Sequence, residues 1–202
     1  AAIARFSGAR RVVGFDRAGL REPAARFLYT EAVAVGEGRH VIEKNLALVR
    51  HEIELVADLP QISYELNFPL RVPDSPALAR LRAKGVEDFV VLNPGAAWPN
   101  KRWPSESFAQ VARAIRDTYG WTSVVLWGPG EQAIAQAIVE ASGGAGVQAP
   151  QTTFADLLAL AKASKLFVSG DTGPLHLAGA VGAPLVALFG PTTPARNGPW
   201  DD

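Results

Sequence analysis

Short runs of apolar residues alternate with longer segments of helical spacing through the second part of the chain. The runs are residues 88–92, 123–127, 166–169 and 185–189. The segments between them repeat apolar residues every three or four positions, which is typical of helices with one buried face. Strands that are apolar along their whole length and separated by helices indicate a parallel sheet covered on both faces. We therefore expect an α/β fold with a doubly wound, Rossmann-like domain.

Polar residues and glycines mark where the helices of this domain are expected to begin. Ser105 is placed to cap the first helix, and the second follows the glycine turn at 128–130. Thr152 or Thr153 caps the third. Asp171 opens a fourth, short helix that extends to about residue 181.

The first third of the chain has a less regular pattern. Residues 1–10 are predicted to be the tail of a helix that ends near Gly8, and residues 11–15 to be a short buried strand. Residues 23–29 and 40–55 repeat apolar side chains at helical spacing. Because so few strands are predicted, we expect this part to complete a domain that begins upstream.

Prolines separate the two parts of the chain. Those expected to break regular structure are Pro60, Pro69, Pro73 and Pro76. We place a linker at about 68–75. The linker divides the chain into a first domain, residues 1–72, and a second domain, residues 73–202.

Composition and charge narrow the function. The 202 residues are 48% hydrophobic and 20% charged, which is typical of a globular protein. Lysine plus arginine and aspartate plus glutamate both number 20, and this balance disfavours nucleic acid as a partner. The absence of cysteine excludes disulfides, thiolate zinc sites and a cysteine nucleophile. His40, His51 and His176 share no metal-ligand spacing, so no metal site is expected.

Neither a membrane span nor a natural chain start is evident. The longest weakly polar stretch, residues 177–190, contains Gly182 and Pro184. It is also shorter than the roughly 20 residues that a spanning helix needs. The chain contains no methionine and begins with Ala1, so we expect it to be a fragment of a longer sequence.

Ligands of doubly wound sheets bind beyond the carboxyl ends of the strands. That rule selects the loops at 93–104, 128–131, 169–176 and 190–194 as candidate binding segments. The loop at 169–176 is the most informative of these, because glycine, aspartate and proline meet the start of a helix there.

This loop has the chemistry of a phosphate site. Gly170 and Gly173 carry no side chain that would keep a ligand away from the backbone, and Pro174 suits the first turn of a helix. The free N–H groups and partial positive charge of a helix start favour an anion. The ordinary alternative is that Asp171 is only a helix cap and that the glycines only form a tight turn.

Three further side chains each have a functional and an ordinary interpretation. Lys101 could neutralise a phosphate, or it could be a solvated base beside Arg102. Glu131 could accept hydrogen bonds from ribose hydroxyls, or it could simply favour its helix N-terminus. His176, in the first turn of the short helix, could lean toward a ligand or could be a packing histidine.

Taken in order, these motifs resemble a known family. Residues 93–97 read Asn-Pro-Gly-Ala-Ala, residues 101–104 Lys-Arg-Trp-Pro, residues 171–178 Asp-Thr-Gly-Pro-Leu-His-Leu-Ala, and residues 189–192 Phe-Gly-Pro-Thr. This combination is similar to the bacterial ADP-heptose–lipopolysaccharide heptosyltransferases, glycosyltransferase family 9, which have the GT-B fold of two Rossmann-like domains. Motifs within residues 14–45 resemble the heptosyltransferase I branch.

The resemblance implies an inverting transfer of heptose from ADP-heptose to the Kdo of the lipopolysaccharide inner core, with no cofactor and no essential metal. Residues 1–72 would be the remainder of the acceptor-side domain. Residues 73–202 would be the donor-binding domain without its C-terminal tail. The implied partners are a nucleotide sugar and Kdo–lipid A. The implied location is the cytoplasm, at the inner face of the inner membrane, with a peripheral membrane contact.

The resemblance also assigns residues to the donor. Those implied are Lys101, Glu131, Asp171, Thr172, Gly173 and His176. Lys101 would bind the diphosphate and the sugar side, and Asp171 would hold heptose hydroxyls, so these two carry the catalytic roles. Backbone N–H groups of Thr172 and Gly173 would bind phosphate, with His176 nearby. The assignment of Glu131 to the nucleoside is a looser match.

The chain departs from the family pattern in two ways. Ala96 and Ala97 stand where the heptosyltransferase I pattern has hydroxyl residues, so a phosphate contact is lost there or is made by backbone. The family's glycine-rich first loop, with an aspartate proposed as general base, is not found. We therefore expect this chain to bind the donor more readily than it catalyses transfer.

Two alternatives stay open. The first is another GT-B nucleotide-sugar enzyme, such as an epimerase. It would need acidic residues where the chain has Pro-Leu-His-Leu at 174–177. The second is a donor-binding module without catalysis.

Overall fold

The structure is a computed structural model that describes residues 2–20, 22–36, 38–56 and 70–200. The chain forms two compact units. One comprises residues 1–66 with 195–197, and the other comprises residues 67–194 with 198–202. Within the described ranges, no helix is both long enough and apolar enough to cross a bilayer.

The predicted linker at 68–75 lies partly outside the described residues, as do Pro60 and Pro69. Residues 70–75 form neither helix nor strand. The expectation that Pro76 breaks regular structure is wrong, because this proline is the first residue of a helix. Proline fits that position since its missing N–H would have no partner there anyway. The division between residues 72 and 73 stays a prediction.

The first unit contains short elements around one long helix. These are α1 Ala2–Phe6, β1 Val13–Phe15, a 3₁₀ helix Pro23–Leu28, β2 Glu31–Val33 and α2 Val41–Val56. The predicted helix before Gly8, the strand within 11–15 and the long helix are confirmed. Strand β2 was not predicted, and it pairs in parallel with β1 so that Val13 lies opposite Glu31.

The second unit is a parallel sheet covered by helices on both faces. Its elements are α3 Pro76–Ala83, β3 Phe89–Asn93, a 3₁₀ turn Pro99–Lys101, α4 Ser105–Tyr119, β4 Thr122–Val125, α5 Gln132–Ala141, β5 Gly146–Gln148, α6 Phe154–Ala163, β6 Phe167–Gly170, α7 Gly173–Ala180 and β7 Leu185–Leu188. The short helix α8 Pro194–Asn197 follows along the chain, and its residues 195–197 belong to the first unit. All five strands are parallel, in the order β5-β4-β3-β6-β7. The four predicted strands are confirmed, and β5 is an addition.

The core follows the alternation of side chains along the strands. Every residue of β3 is buried, because β3 is central and covered on both faces. Phe89 and Val91 pack in the cluster on one face with Phe167. Val90 and Leu92 pack in the other cluster, whose helical members include Phe108, Ala112 and Ile138.

Helix caps were predicted with mixed success. Thr153 caps α6, since its hydroxyl accepts the N–H of Asp156. The predicted cap at Ser105 is wrong, because Pro104 holds the cap position and Ser105 is the first helical residue.

A buried carboxylate joins the starts of two helices in this unit. Asp156 is 4% exposed. Its Oδ1 accepts from Ser75 Oγ at 2.6 Å and from the N–H of Ala77 at 3.2 Å, at the start of α3. Its Oδ2 accepts from the N–H and the hydroxyl of Thr153 at 2.9 and 2.7 Å. Burial acts to raise the pKa of Asp156, but these hydrogen bonds outweigh it and lower the pKa to about 2.

The Asp156→Ala variant should lower the free energy of unfolding by about 3 kcal/mol, because the buried Ser75 hydroxyl loses its acceptor and the capping box with Thr153 is broken. Denaturant titration followed by circular dichroism measures this. The control is Asp88→Ala, which removes an exposed carboxylate lying 3.0 Å from Lys165 Nζ. That variant should cost about 1 kcal/mol or less.

The same carboxylate predicts a pH dependence. Its folded pKa of about 2 lies below the ordinary 3.8, so its contribution to stability is complete above pH 3.8. That contribution is lost as the pH falls toward 2. Asp156→Asn should lose less stability than wild type over this interval. Parallel losses in the two proteins would show that Asp156 does not carry the effect.

Candidate functional site

A cleft opens at the carboxyl edge of the sheet and is lined by the segments that follow β3, β4, β5 and β6. Strand order reverses at the neighbours β3 and β6, since β3 leads on to β4 on one side and β6 to β7 on the other. The loops that leave the two strands therefore diverge and leave a crevice. The cleft has a volume of about 700 Å³ and lies entirely within the second unit.

Five of the six predicted donor residues line this cleft. They are Lys101, Glu131, Asp171, Thr172 and Gly173. The sixth, His176, is not part of the lining. Its side chain is 46% exposed, and its Nε2 lies 3.7 Å from Asp171 Oδ1.

The strongest interaction in the cleft joins Lys101 to Asp171. Lys101 Nζ lies 2.6 Å from Asp171 Oδ2, and their side chains are 22% and 9% exposed. Thr192, from the loop after β7, donates its hydroxyl to the same oxygen at 2.7 Å. Burial acts to raise the pKa of Asp171. The hydrogen bonds from Lys101 and Thr192, with the charges of Lys101 and His176, outweigh burial and hold the pKa below its ordinary value.

Asp171 is not the cap of α7. Thr172 holds the cap position, and its hydroxyl makes no capping bond. The Asp171 carboxylate is instead turned toward Lys101 and Thr192. The alternative interpretation of Asp171 as a simple helix cap is therefore wrong.

The two glycines of this turn have different roles. A side chain on Gly173 would meet no atom within 4 Å, so the backbone there faces open space beside the cleft. The N–H groups of a helix start are free to meet an anion at such a position. A Cβ on Gly170 would lie 3.2 Å from the carbonyl oxygen of Lys101. Gly170 therefore lets the lysine loop approach β6, which is a packing role and not contact with a ligand.

Asn93 lies beneath this turn, at the end of β3. Its Nδ2 donates to Ser169 Oγ at 2.8 Å and to Thr172 Oγ1 at 3.1 Å. Asn93 is buried and also lines the cleft. Sequence reasoning missed it as a site residue, although a polar residue ending an otherwise apolar strand at the binding edge was the available signal.

Glu131 lies against the loop after β3. Its Oε2 accepts the N–H of Gly128 at 3.1 Å, and its Oε1 lies 3.8 Å from Arg102 Nη2. The carboxylate fills the space that a Cβ on Gly95 would occupy. Glu131 precedes α5 but makes no side-chain capping bond. Its carboxylate closes the 128–131 turn and faces the cleft.

An apolar wall completes the cleft. Trp127, Phe154 and Leu157 line it. The indole N–H of Trp127 donates to the carbonyl of Ala149 at 2.8 Å, which fixes the ring. The part of this wall that follows β5 was missed, because β5 itself was missed. In the part of the chain that the structure describes, no group of three or more histidine or acidic side chains is arranged to hold a metal ion.

One protein family matches the whole chain. The family described as glycosyltransferase family 9 (heptosyltransferase) matches residues 1–202. Lipopolysaccharide heptosyltransferase 1 of Pseudomonas aeruginosa is 27% identical over 204 residues, covering 98% of this chain and 53% of the relative. Lipopolysaccharide heptosyltransferase 3 of Escherichia coli is 33% identical over 128 residues, covering 60% of this chain and 37% of the relative. The chain spans about half the length of these curated relatives, or less.

Solved structures share the fold. Escherichia coli ADP-heptose LPS heptosyltransferase II is 24% identical with a TM-score of 0.68, covering 96% of this chain and 60% of that chain. Escherichia coli heptosyltransferase WaaC with ADP is 22% identical with a TM-score of 0.65, covering 93% and 56%. A family 9 glycosyl transferase from Veillonella parvula is 26% identical with a TM-score of 0.64, covering 88% and 52%. The predicted α/β fold of GT-B type is confirmed.

The Lys101→Ala variant should raise the pKa of Asp171 toward its ordinary value, because the carboxylate loses its hydrogen-bonded cation. Thr192→Val should raise it by less, since it removes one neutral donor. Carbon-13 NMR titration of the aspartate side chains measures both shifts. Lys165→Ala, which removes a lysine paired with Asp88, is the matched control and should leave Asp171 unchanged. If the pKa of Asp171 were the same in Lys101→Ala as in wild type, that result would contradict the ion pair.

Proposed function

The chain belongs to glycosyltransferase family 9, the heptosyltransferases, and from this membership we propose that it binds ADP-heptose in the cleft of its second unit. We further propose that the bound heptose is transferred to the lipopolysaccharide inner core. One observation carries the proposal: Lys101 and the start of α7 meet on the same wall of the cleft. Lys101 Nζ lies 3.4 Å from the carbonyl of Asp171, the residue before the cap of α7.

This wall suits a diphosphate. The lysine ammonium supplies a full positive charge, and the helix start supplies N–H groups with a partial positive charge. Gly173 leaves the approach open. Pro174 has no N–H, and the N–H of Leu175 already bonds to the carbonyl of Thr172. Backbone binding of phosphate is therefore assigned to Thr172 and Gly173.

Asp171 suits the sugar. Its Oδ2 already accepts from Lys101 and Thr192. Its Oδ1 lies 3.7 Å from His176 Nε2 and is not used by Lys101 or Thr192. Because the lowered pKa keeps the carboxylate ionised, Oδ1 is a strong acceptor for a heptose hydroxyl.

The opposite side of the cleft suits the nucleoside. Trp127, Phe154 and Leu157 offer apolar surface to a base, and Phe154 is 62% exposed. Glu131, held by Gly128, faces the same space and can accept ribose hydroxyls. One extended ligand would thus contact the five predicted donor residues that line the cleft, which are Lys101, Glu131, Asp171, Thr172 and Gly173. His176 supports Asp171 from outside the cleft.

The proposed chemistry is an inverting transfer. An acceptor hydroxyl attacks the anomeric carbon from the face opposite ADP, the bond from that carbon to the diphosphate oxygen breaks, and its electron pair leaves with ADP. Lys101 and the start of α7 stabilise the charge that develops on the leaving diphosphate. No residue described in this chain is assigned as the base that takes the acceptor's proton.

The acceptor and the location follow from the family alone. We propose Kdo in the lipopolysaccharide inner core as acceptor, and the cytoplasmic face of the inner membrane as the place of reaction. The competing function is donor binding without transfer. A transfer assay with Kdo–lipid A and ADP-heptose separates the two, because the first function releases ADP only when the acceptor is present and the second releases none.

Isothermal titration calorimetry of the 202-residue chain tests the donor. We expect ADP and ADP-heptose to bind and UDP or UDP-sugars to bind more weakly. Lys101→Ala should weaken ADP about tenfold or more, because a charged hydrogen bond contributes about 1.5–3 kcal/mol. The control is Lys165→Ala, which also removes one lysine charge but does so at the amino end of β6. This variant should bind ADP as wild type does.

Two results would reject this donor assignment. A preference for uridine nucleotides would reject ADP-heptose, and wild-type affinity in Lys101→Ala would reject the role of the lysine.

A second prediction concerns the nucleoside side. Gly95→Ala places a Cβ where the Glu131 carboxylate lies, and the flexible glutamate should move away while the protein stays folded. Gly95→Ala and Glu131→Ala should therefore lower ADP affinity by similar factors, and the double variant should bind no worse than either single variant. Glu106→Ala, which removes an exposed glutamate of α4, is the control. Additive losses would mean that Gly95 acts independently of Glu131.

A further inference from the structure

We propose that Asn93 contacts the donor directly: its side-chain oxygen, Oδ1, accepts a hydrogen bond from a hydroxyl group of the nucleotide sugar. This inference rests on the proposed binding of a nucleotide sugar in the cleft. Asn93 is the last residue of β3, is 6% exposed and lines the cleft. It lies at the strand-order reversal, where the register pairs it with Ser169 of β6.

The hydroxyls beneath Asn93 fix which way its amide points. Nδ2 lies 2.8 Å from Ser169 Oγ and 3.1 Å from Thr172 Oγ1. Both hydroxyls donate to one carbonyl, that of Gly170, at 2.9 Å for Ser169 and 3.3 Å for Thr172. The two hydroxyl oxygens also lie 3.2 Å from each other, so each proton has an acceptor other than Asn93 and both oxygens offer lone pairs to Asn93. Only the amide nitrogen, which has two protons, complements them.

The oxygen of the amide therefore faces the other way. The buried side-chain atoms that lack a partner in the described part of the chain are Ser123 Oγ and Gln148 Nε2. Asn93 Oδ1 is not among them, and within the same residues it accepts no hydrogen bond. An atom with neither a partner nor complete burial, on a residue that lines the cleft, reaches the cleft itself.

The chemistry of this atom selects its ligand. Both amide protons are used inside the protein, so Asn93 presents an acceptor and no donor to the cleft. Phosphate oxygens are acceptors too and gain nothing from it. A sugar hydroxyl is a donor and complements it. The side chain at this position must also be neutral. A carboxylate here, within hydrogen-bond distance of Thr172, would repel the diphosphate assigned to the start of α7.

The hydroxyl can belong to the ribose or to the transferred heptose, and one calorimetric experiment distinguishes these sources. Wild type and Asn93→Ala are titrated with ADP, 2′-deoxy-ADP, 3′-deoxy-ADP and ADP-heptose. If the ribose is bound, Asn93→Ala weakens ADP about three- to tenfold more than it weakens the analogue that lacks the bound hydroxyl. If the heptose is bound, the variant weakens ADP-heptose by that factor more than it weakens any of the three nucleotides.

A purely structural role would give a different pattern. Loss of the Ser169 and Thr172 contacts alone would weaken every ligand by the same factor, and that result would overturn the inference. So would unchanged affinity for all four ligands. Failure of wild type to bind any of them would reject the proposed function, whereas binding by wild type with uniform losses in Asn93→Ala rejects this inference alone.

A second variant covers the case in which Asn93→Ala does not fold. Asn93→Asp keeps the shape and the cleft-facing oxygen but adds a charge once its carboxyl ionises. Its ADP dissociation constant, divided by that of wild type at the same pH, should rise as the pH rises through that titration. A ratio independent of pH would contradict the placement of this atom beside the diphosphate. Ser123→Ala removes a buried hydroxyl without a partner on β4 and, as the control, should bind every ligand as wild type does.

Discussion

The site depends on one constraint of the sheet: β3 and β6 hydrogen-bond to each other, yet the segments that follow them diverge. Along most of their length these strands need apolar side chains, because helices cover both faces. At their carboxyl ends the register brings Asn93 directly opposite Ser169, and both residues are buried. A polar pair can stand there because Asn93 Nδ2 donates a hydrogen bond to Ser169 Oγ at 2.8 Å. The strand ends thus form the base of the crevice from polar groups. Burying such groups one residue earlier, where the strands are apolar, would cost free energy.

The ion pair between Lys101 and Asp171, on the wall of the cleft, sets the charge that a ligand meets there. Lys101 comes from the loop after β3, Asp171 from the turn after β6, and Thr192 from the loop after β7. Since three separate loops meet at one carboxylate, the lysine ammonium is held in position before any ligand arrives. A preorganised cation loses less side-chain entropy when it binds an anion, so more of its interaction energy is available for binding. The lowered pKa of Asp171 is a sign of the same arrangement.

Much of this could be predicted from the sequence. Continuous apolar runs identified four strands, and the rule for carboxyl ends then selected four loops, of which those at 93–104, 128–131 and 169–176 line the cleft. Strand β5 escaped because three residues, Gly146–Gln148, form no recognisable run. Asp156 escaped because its partner Ser75 is 81 positions away and no local pattern joins them. Asp171 was expected near a cap from local preference alone, whereas tertiary contacts with Lys101 and Thr192 decide its orientation.

The approach of Gly170 to the carbonyl of Lys101 has a mechanical consequence. With no side chain between them, the backbone of the lysine loop rests directly on the end of β6. If that strand end moved, the lysine loop would have to move with it, because close-packed atoms resist compression. The position of Lys101 is thus coupled to the position of the α7 start, which follows the strand. A molecule that spans both would therefore meet two segments whose separation is set by main-chain packing, while the lysine ammonium is placed by its ion pair with Asp171.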